Sequence, residues 1–319
     1  MAKGPSSYMR QRLLIPPLLT PLHTDESVDR LGLTRLIEHV LQGGATGIFV
    51  LGSSGEGAFL THTQRRTVVD VASTVIARRV PLFVGISDCS ISRVRELMSA
   101  VTQPEVTALV LTVPYYGSFD DPDMQVAFFE TVADEAPRPI ILYNIPQMVH
   151  ARLEPETVAR LASHPNIIGV KDSSGDLIRF QQLLTLRHPH EFAVYQGAEQ
   201  LAGLSLLAGT DGLISGMANL VPGWLAEMLE AAQKGEVERV LNIQQRLNEL
   251  WTLHTAGHWL SCLKMAASLL DLCGPTVSAP LPRLSPEAAA HIQKTLARYG
   301  LPMVADDVTV AKEVTPQNV

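Results

Sequence analysis

The feature that most constrains this chain of 319 residues is an alternation of short apolar runs with longer segments of helical periodicity. Most of the apolar runs are continuous, which is typical of parallel strands buried on both faces. The segments between them, such as 28–41 and 63–77, repeat apolar residues three and four positions apart, as amphipathic helices do. The pattern predicts eight strands, at 14–20, 47–51, 81–86, 108–113, 140–143, 167–171, 192–196 and 212–215.

A strand-then-helix unit repeated about eight times predicts an α/β fold with a parallel sheet. Eight units within about 220 residues fit a closed (β/α)8 barrel, the TIM-barrel fold, which typically has ~250 residues. The rival fold is an open, doubly wound sheet, which usually has a phosphate-binding glycine-rich turn after its first strand. Here that strand runs into Thr20-Pro21-Leu22-His23, which cannot act in that way.

After Ser215 the pattern is helical only, at 222–233, 236–254, 259–272 and 286–299. We therefore expect a barrel at residues 12–220 and a C-terminal helical extension, a bundle packed on the barrel, at 221–300. Residues 1–11 and 303–319 are expected to be flexible tails.

Composition excludes several classes of protein. The 25 Lys and Arg against 32 Asp and Glu give a net charge of −7, so there is no basic surface for nucleic acid. No apolar run reaches the roughly 20 residues that cross a bilayer. Cys89, Cys262 and Cys273 have no CxxC spacing, which indicates neither a disulfide framework nor a zinc site. Without a signal-peptide pattern, the expected location is the cytoplasm.

Active sites of such barrels lie at the carboxyl ends of the strands. The sixth predicted strand ends in Val170-Lys171-Asp172, an unusual place for a lysine. Burial disfavours the ammonium form, and a neutral amine can attack a ketone or aldehyde to form a Schiff base. The alternative is a lysine neutralised by Asp172 or by another carboxylate at the rim. The residues alone leave both open.

Three further strand ends carry reactive or polar groups. Tyr143 ends the fifth strand near Lys171, where a phenol could move the protons of imine formation or could simply pack. Segment 52–57, Gly-Ser-Ser-Gly-Glu-Gly, could hold a carboxylate or be an ordinary turn. Tyr115 and Tyr116 follow the fourth strand and could line a pocket or an interface.

Two weaker candidates concern metal and thiol chemistry. His254 and His258 are four residues apart, but Gly257 intervenes and no third ligand is evident, so no metal site is expected. Cys89 lies near a strand end without a positioned histidine, which argues against a thiolate nucleophile.

Together these residues resemble the dihydrodipicolinate synthase / N-acetylneuraminate lyase family of class I pyruvate-dependent aldolases. The resemblance covers about residues 12–300 and implies a (β/α)8 barrel with a C-terminal helical bundle, assembled as a homotetramer of tight dimers. It implies a lyase that needs no metal or organic cofactor. The matching segments, in family order, are Leu19-Thr20-Pro21, Gly52-Ser53-Ser54-Gly55-Glu56, Pro114-Tyr115-Tyr116, Tyr143-Asn144-Ile145-Pro146, Gly169-Val170-Lys171-Asp172, Gly197 and Gly212-Leu213-Ile214-Ser215.

The resemblance also implies a role for each matching residue. Lys171 would form the Schiff base with pyruvate or with a 2-keto acid that releases it, and Tyr143 would be the proton relay beside it. Ser53 would continue the relay, and Tyr116 would complete it from the neighbouring subunit. The carboxylate of the substrate would bind at Ser54, while the imine would be flanked by Gly197 and Ile214.

Two departures bear on the substrate. Family synthases of the lysine precursor usually have threonine at position 53 and an arginine where this chain has Met148. A thioether cannot form a charge-assisted bond to a second substrate's carboxylate. Segment 172–176 resembles catabolic members, so reversible aldol cleavage of a 2-keto-3-deoxy sugar acid is favoured. The alternatives are a 4-hydroxy-tetrahydrodipicolinate (dihydrodipicolinate) synthase, a keto-deoxy sugar acid dehydratase and, in a different class, a non-catalytic keto-acid-binding barrel.

Overall fold

Residues 12–186 and 192–303 are described by a computed structural model of the chain. Eight strands form one parallel sheet in the order β1-β8-β7-β6-β5-β4-β3-β2. All eight predicted strands are found, although β1 and β8 have only two residues each. Their bounds are β1 Leu13–Leu14, β2 Ile48–Val50, β3 Leu82–Gly85, β4 Val106–Thr112, β5 Ile140–Asn144, β6 Ile167–Asp172, β7 Ala193–Gln196 and β8 Gly212–Leu213.

Helices alternate with these strands, as the periodicity predicts. Local sequence sets their ends: the Thr61 hydroxyl caps the helix His62–Ile76 by accepting from the backbone N–H of Gln64, whose side chain accepts from the Thr61 N–H in return. The helices up to β8 are α1 Arg30–Gln42, α2 His62–Ile76, α3 Ile91–Ser99, α4 Pro122–Glu135, α5 Pro146–Val149, α6 Pro155–Leu161, α7 Leu177–Leu184 and α8 Ala202–Leu207.

Four more helices follow β8, namely α9 Pro222–Lys234, α10 Val237–Trp251, α11 Trp259–Leu269 and α12 Pro286–Ala297. The helix predicted over 236–254 ends earlier, and a separate 3-10 turn spans Thr252–Ala256. In the described part of the chain, none of the helices is long and apolar enough to cross a membrane. The tails expected at 1–11 and 303–319 lie outside the described residues, except for residue 303.

The strands at the two ends of the sheet order, β1 and β2, are linked by hydrogen bonds through the segment that follows β1. The backbone N–H of Phe49 in β2 donates to the Pro16 carbonyl over 3.0 Å, and the Leu18 N–H donates to the Phe49 carbonyl over 2.8 Å. The strands are buried almost throughout, which explains their continuous apolar sequence. Because they are parallel, their carboxyl ends meet at one edge, and side chains from distant parts of the sequence converge there.

Candidate active site

Lys171 lies near the end of β6 and is only 4% exposed. The parallel register of β5 and β6 pairs it with Tyr143. Its Nζ lies 4.0 Å from the centroid of the Tyr143 ring and 5.3 Å from that of Phe49. The predicted proximity of Tyr143 and Lys171 is therefore confirmed, and two aromatic faces hold the amine away from bulk water.

The neighbouring Asp172 carboxylate is occupied by groups other than the lysine. Its Oδ2 accepts from the Asn144 amide over 2.6 Å, and its Oδ1 accepts from the Ser174 hydroxyl over 2.7 Å and from the Ser174 N–H over 3.1 Å. Burial raises the pKa of Asp172, and these hydrogen bonds oppose that rise. Among the described residues no carboxylate pairs with Lys171, so the structure differs from the alternative in which Asp172 neutralises it.

Gly197 gives the lysine side chain its space. A Cβ at this position would lie 3.0 Å from Lys171 Cε, 2.1 Å from the Ser173 hydroxyl and 3.1 Å from the Asp172 carbonyl. Any larger residue would therefore displace the side chain that carries the amine.

The loop after β2 carries Ser53 and Ser54, and it is held in a conformation that costs energy. Leu51 and Glu56 flank the two serines with φ values of 60° and 57°, in the left-handed region that residues with a Cβ rarely adopt. The Thr20 hydroxyl stabilises the loop by donating 2.7 Å to the Gly55 carbonyl. Strain of this kind clusters at functional sites.

Glu56 anchors the same loop to helix α11. Its carboxylate forms an ion pair with the ammonium group of Lys264, and both side chains are 0% exposed. The other carboxylate oxygen accepts from the Ser278 N–H over 2.6 Å, and the Lys264 ammonium donates to the Thr276 carbonyl over 2.6 Å. Each buried charge therefore has more than one partner, as burial requires.

Two cavities of about 430 Å³ each lie at this edge of the sheet. Both reach Ser53, Tyr143 and Met148. The lysine cavity, as we call the one that Lys171 lines, also contains Ser54, Gly197, Ile214, Glu199 and His254. The aromatic cavity, defined by Phe49, Phe59, Tyr115 and Tyr143, lies on the other side of these shared residues. Of the seven candidate site residues that the sequence indicates, six line the lysine cavity, namely Ser53, Ser54, Tyr143, Lys171, Gly197 and Ile214.

Tyr116 is the seventh residue, and it lies apart from this cluster. Its side chain is 83% exposed, and it lines neither cavity. Tyr115 lines the aromatic cavity instead, where burial and the Asp88 carboxylate raise the pKa of its phenol to about 12. Within a single chain, therefore, the exposed hydroxyl of Tyr116 does not reach Lys171.

The histidines considered for metal binding have other contacts. His254 hydrogen-bonds the Trp259 carbonyl, whereas His258 lines the aromatic cavity. No group of three His, Cys, Asp or Glu residues in positions 12–186 and 192–303 is placed to hold a metal ion.

A family model described as the dihydrodipicolinate synthetase family matches residues 10–299. The chain belongs to this family. Members of the family are carbon–carbon lyases of the aldolase type, so the protein is an enzyme of that class.

Three similar proteins match between 73% and 90% of this chain. The 4-hydroxy-tetrahydrodipicolinate synthase of Gluconacetobacter diazotrophicus is 31% identical over 90% of this chain and 96% of its own length. That of Stenotrophomonas maltophilia is 37% identical over 73% and 78%. YagE, a prophage protein of E. coli K12 in this family, was solved in complex with pyruvate; it is 28% identical, with a TM-score of 0.85 over 90% of this chain and 98% of its own.

Sequence reasoning did not assign Glu56, Lys264, Glu199 or His254 to the site that the structure shows. Lys264 had a usable signal, since it is a lone charge in the apolar sequence of α11. Glu56 was part of a matched motif, but its partner is 208 positions away and only the fold brings the two together. Glu199 and His254 also line the lysine cavity, and no local pattern indicates that they meet there.

Replacing Gly197 with alanine tests the space around the lysine. We expect Gly197→Ala to slow the trapping of a keto acid on Lys171 by tenfold or more, because small displacements of a reacting group are costly. Trapping is measured by borohydride reduction and mass spectrometry. Gly223→Ala is the control, since nothing lies within 4 Å of a Cβ there. Unchanged trapping in Gly197→Ala would contradict the interpretation.

Removing Lys264 tests the buried ion pair. Lys264→Met should lower the free energy of unfolding by about 3–5 kcal/mol, because it leaves the Glu56 charge buried without its partner. Urea denaturation followed by circular dichroism measures the change. Lys234→Met is the matched control, since it breaks an exposed pair with Glu230 and should have little effect. Equal losses in the two variants would show that burial does not matter here.

Proposed function

We propose that this protein forms an imine between Lys171 and pyruvate, or a 2-keto acid that yields pyruvate, and reversibly cleaves a 2-keto-3-deoxy sugar acid by aldol chemistry. The observation that carries the proposal is the buried amine of Lys171, which faces aromatic rings and has no carboxylate partner among the described residues. The complexes of YagE and of the Acinetobacter baumannii dihydrodipicolinate synthase with pyruvate support a keto acid as substrate.

In the proposed reaction the Lys171 amine attacks the keto carbon, whose oxygen takes up protons and leaves as water. The resulting iminium is an electron sink. The C4 hydroxyl then loses its proton, and the C3–C4 bond breaks. The electron pair of that bond forms the enamine, and the aldehyde departs. Protonation at C3 and hydrolysis by water release pyruvate and restore the amine.

The surrounding residues have distinct parts in this scheme. Tyr143, whose ring lies against the amine, is the proton carrier at the reacting carbons. Ser53, which reaches both cavities, extends the proton path. Ser54 and nearby backbone N–H groups hold the carboxylate, which fixes the keto carbon beside the amine. Gly197 and Ile214 line the space of the imine.

Tyr116 belongs to the proposal through a second copy of the chain. Its exposed phenol follows β4, close in sequence to Tyr115 in the aromatic cavity, and Phe59 is also substantially exposed beside that cavity. Two exposed aromatic side chains, of which Phe59 lines a cavity, favour coverage by another protein surface. We propose a homotetramer built from dimers, in which Tyr116 of each subunit completes the proton path of its neighbour.

The finer description of the fold is part of the same proposal. The hydrogen bonds between Phe49 and residues 16–18 support a closed (β/α)8 barrel. Helices α9 to α12 then form a C-terminal bundle packed on it, with a boundary near residue 220. The Glu56–Lys264 pair supports direct packing between the two parts.

The lining of the lysine cavity supports a hydroxylated aldehyde over an anionic one. Glu199 Oε1 accepts from the Ser215 hydroxyl over 2.9 Å and from the Met217 N–H over 2.7 Å, which keeps a carboxylate in the cavity wall. A carboxylate accepts hydrogen bonds from hydroxyl groups. Met148, which is 39% exposed and lines both cavities, offers no cation to an anionic substrate.

The second candidate is 4-hydroxy-tetrahydrodipicolinate synthase, the name that the curated relatives carry. It uses the same imine, with aspartate semialdehyde as the second substrate. A dehydratase acting on keto-deoxy sugar acids would differ by losing water without carbon–carbon cleavage.

Lysine replacement tests the imine. Incubation with pyruvate and borohydride should place a pyruvate-sized adduct on Lys171, located by peptide mass spectrometry. Lys171→Ala should lose both the adduct and turnover, because among the described residues no other lysine lines the lysine cavity. Lys294→Ala, which removes an exposed lysine of α12, is the control and should keep both. A folded wild-type protein without an adduct would favour the non-catalytic keto-acid-binding barrel.

Product analysis tests the substrate. With a panel of 2-keto-3-deoxy sugar acids we expect pyruvate and a hydroxyaldehyde, detected by coupled reduction of pyruvate and by mass spectrometry. Condensation of pyruvate with aspartate semialdehyde should be at least about tenfold slower in kcat/KM, since Met148 offers no cation to the semialdehyde carboxylate. Faster condensation than cleavage would establish the synthase instead.

A further inference from the structure

His254 occupies a place at the lysine cavity that the proposed reaction does not use. It lies in the 3-10 turn Thr252–Ala256 between α10 and α11. Its ring packs edge-on against Trp251 with centroids 5.1 Å apart, and Trp251 and Trp259 line the same cavity. The imidazole is therefore held in one orientation within an aromatic wall.

The hydrogen bond of His254 determines which nitrogen carries its proton. Nδ1 lies 3.0 Å from the Trp259 carbonyl oxygen, which can only accept. Nδ1 must therefore be the protonated nitrogen, and in the neutral ring Nε2 is an acceptor. Burial lowers the pKa of His254 and so favours the neutral ring, although the Glu199 carboxylate opposes the shift. Within the described residues, Nε2 has no hydrogen-bond partner.

Gly216 lies close to two polar groups of the lysine cavity. A Cβ on Gly216 would lie 3.5 Å from the hydroxyl of Ser54, which is proposed to bind the substrate carboxylate, and 3.4 Å from Glu199 Oε1. His254 interacts electrostatically with Glu199 and lines the same cavity. The wall of the lysine cavity thus offers acceptors together with indole rings, which suits a chain that carries hydroxyl groups and C–H faces.

We propose that His254 determines specificity by accepting, through Nε2, a hydrogen bond from a hydroxyl group on the aldehyde half of the substrate. This inference depends on the proposed aldolase function. It predicts that discrimination between hydroxylated and plain aliphatic aldehydes depends on His254, because only the hydroxylated aldehyde can donate a hydrogen bond to Nε2.

Glyceraldehyde and propanal test the inference, since they differ only by two hydroxyl groups. Aldol addition to pyruvate is measured with each aldehyde, and the wild type should prefer glyceraldehyde. In His254→Asn the amide can still donate to the Trp259 carbonyl, but the acceptor at Nε2 is gone. We expect kcat/KM for glyceraldehyde to fall about tenfold and that for propanal to change less than about twofold. His254→Gln, whose amide oxygen can replace Nε2, should recover part of the loss.

Three outcomes would overturn the inference: no wild-type preference for glyceraldehyde, an equal fall with both aldehydes in His254→Asn, or no change with either. Borohydride trapping of pyruvate on Lys171 separates this failure from failure of the proposed function. Trapping that is intact in the wild type and in His254→Asn, without a change in aldehyde preference, refutes only the role of His254. Absence of trapping in the wild type refutes the aldolase and the inference together.

Discussion

The parallel pairing of β5 with β6 is the constraint on which the site depends. It pairs Tyr143 with Lys171 across the sheet, so the phenol ring and the amine are neighbours before any ligand arrives. A shift of one residue would turn one of the two side chains to the opposite face. Continuous burial of both strands stabilises this register, and the reactive groups are oriented by the same packing that forms the core.

Around this pair, the structure removes the groups that would otherwise neutralise or displace the amine. Asp172 is adjacent in sequence but takes its hydrogen bonds from Asn144 and Ser174. Gly197 leaves space for the lysine stem. A buried amine without an ion-pair partner is costly for stability, and such costs are typical of reactive sites. Here the surrounding fold compensates for that cost through its extensive apolar core.

The loop of Ser53 and Ser54 shows how a distant segment supports the chemistry. Its left-handed residues, Leu51 and Glu56, would relax if the loop were free. The buried pair of Glu56 with Lys264 prevents this by joining the loop to α11. Helix α11 and the turn before it also bring Trp259 and His254 to the lysine cavity, so the C-terminal helices shape the part of the site that receives the aldehyde.

The sequence alone determined the eight strands, the approximate bounds of six of the helices, and the candidacy of Lys171 and Tyr143, because burial and periodicity are local properties that residue types reveal. Only the tertiary structure decided which charges meet. The Glu56–Lys264 pair and the cluster of Glu199 with His254 join segments that are far apart along the chain or carry no local signal. The pairing of Asp172 with Asn144 rather than with the adjacent lysine likewise required three-dimensional positions, since Asn144 lies on the neighbouring strand, 28 positions earlier in the chain.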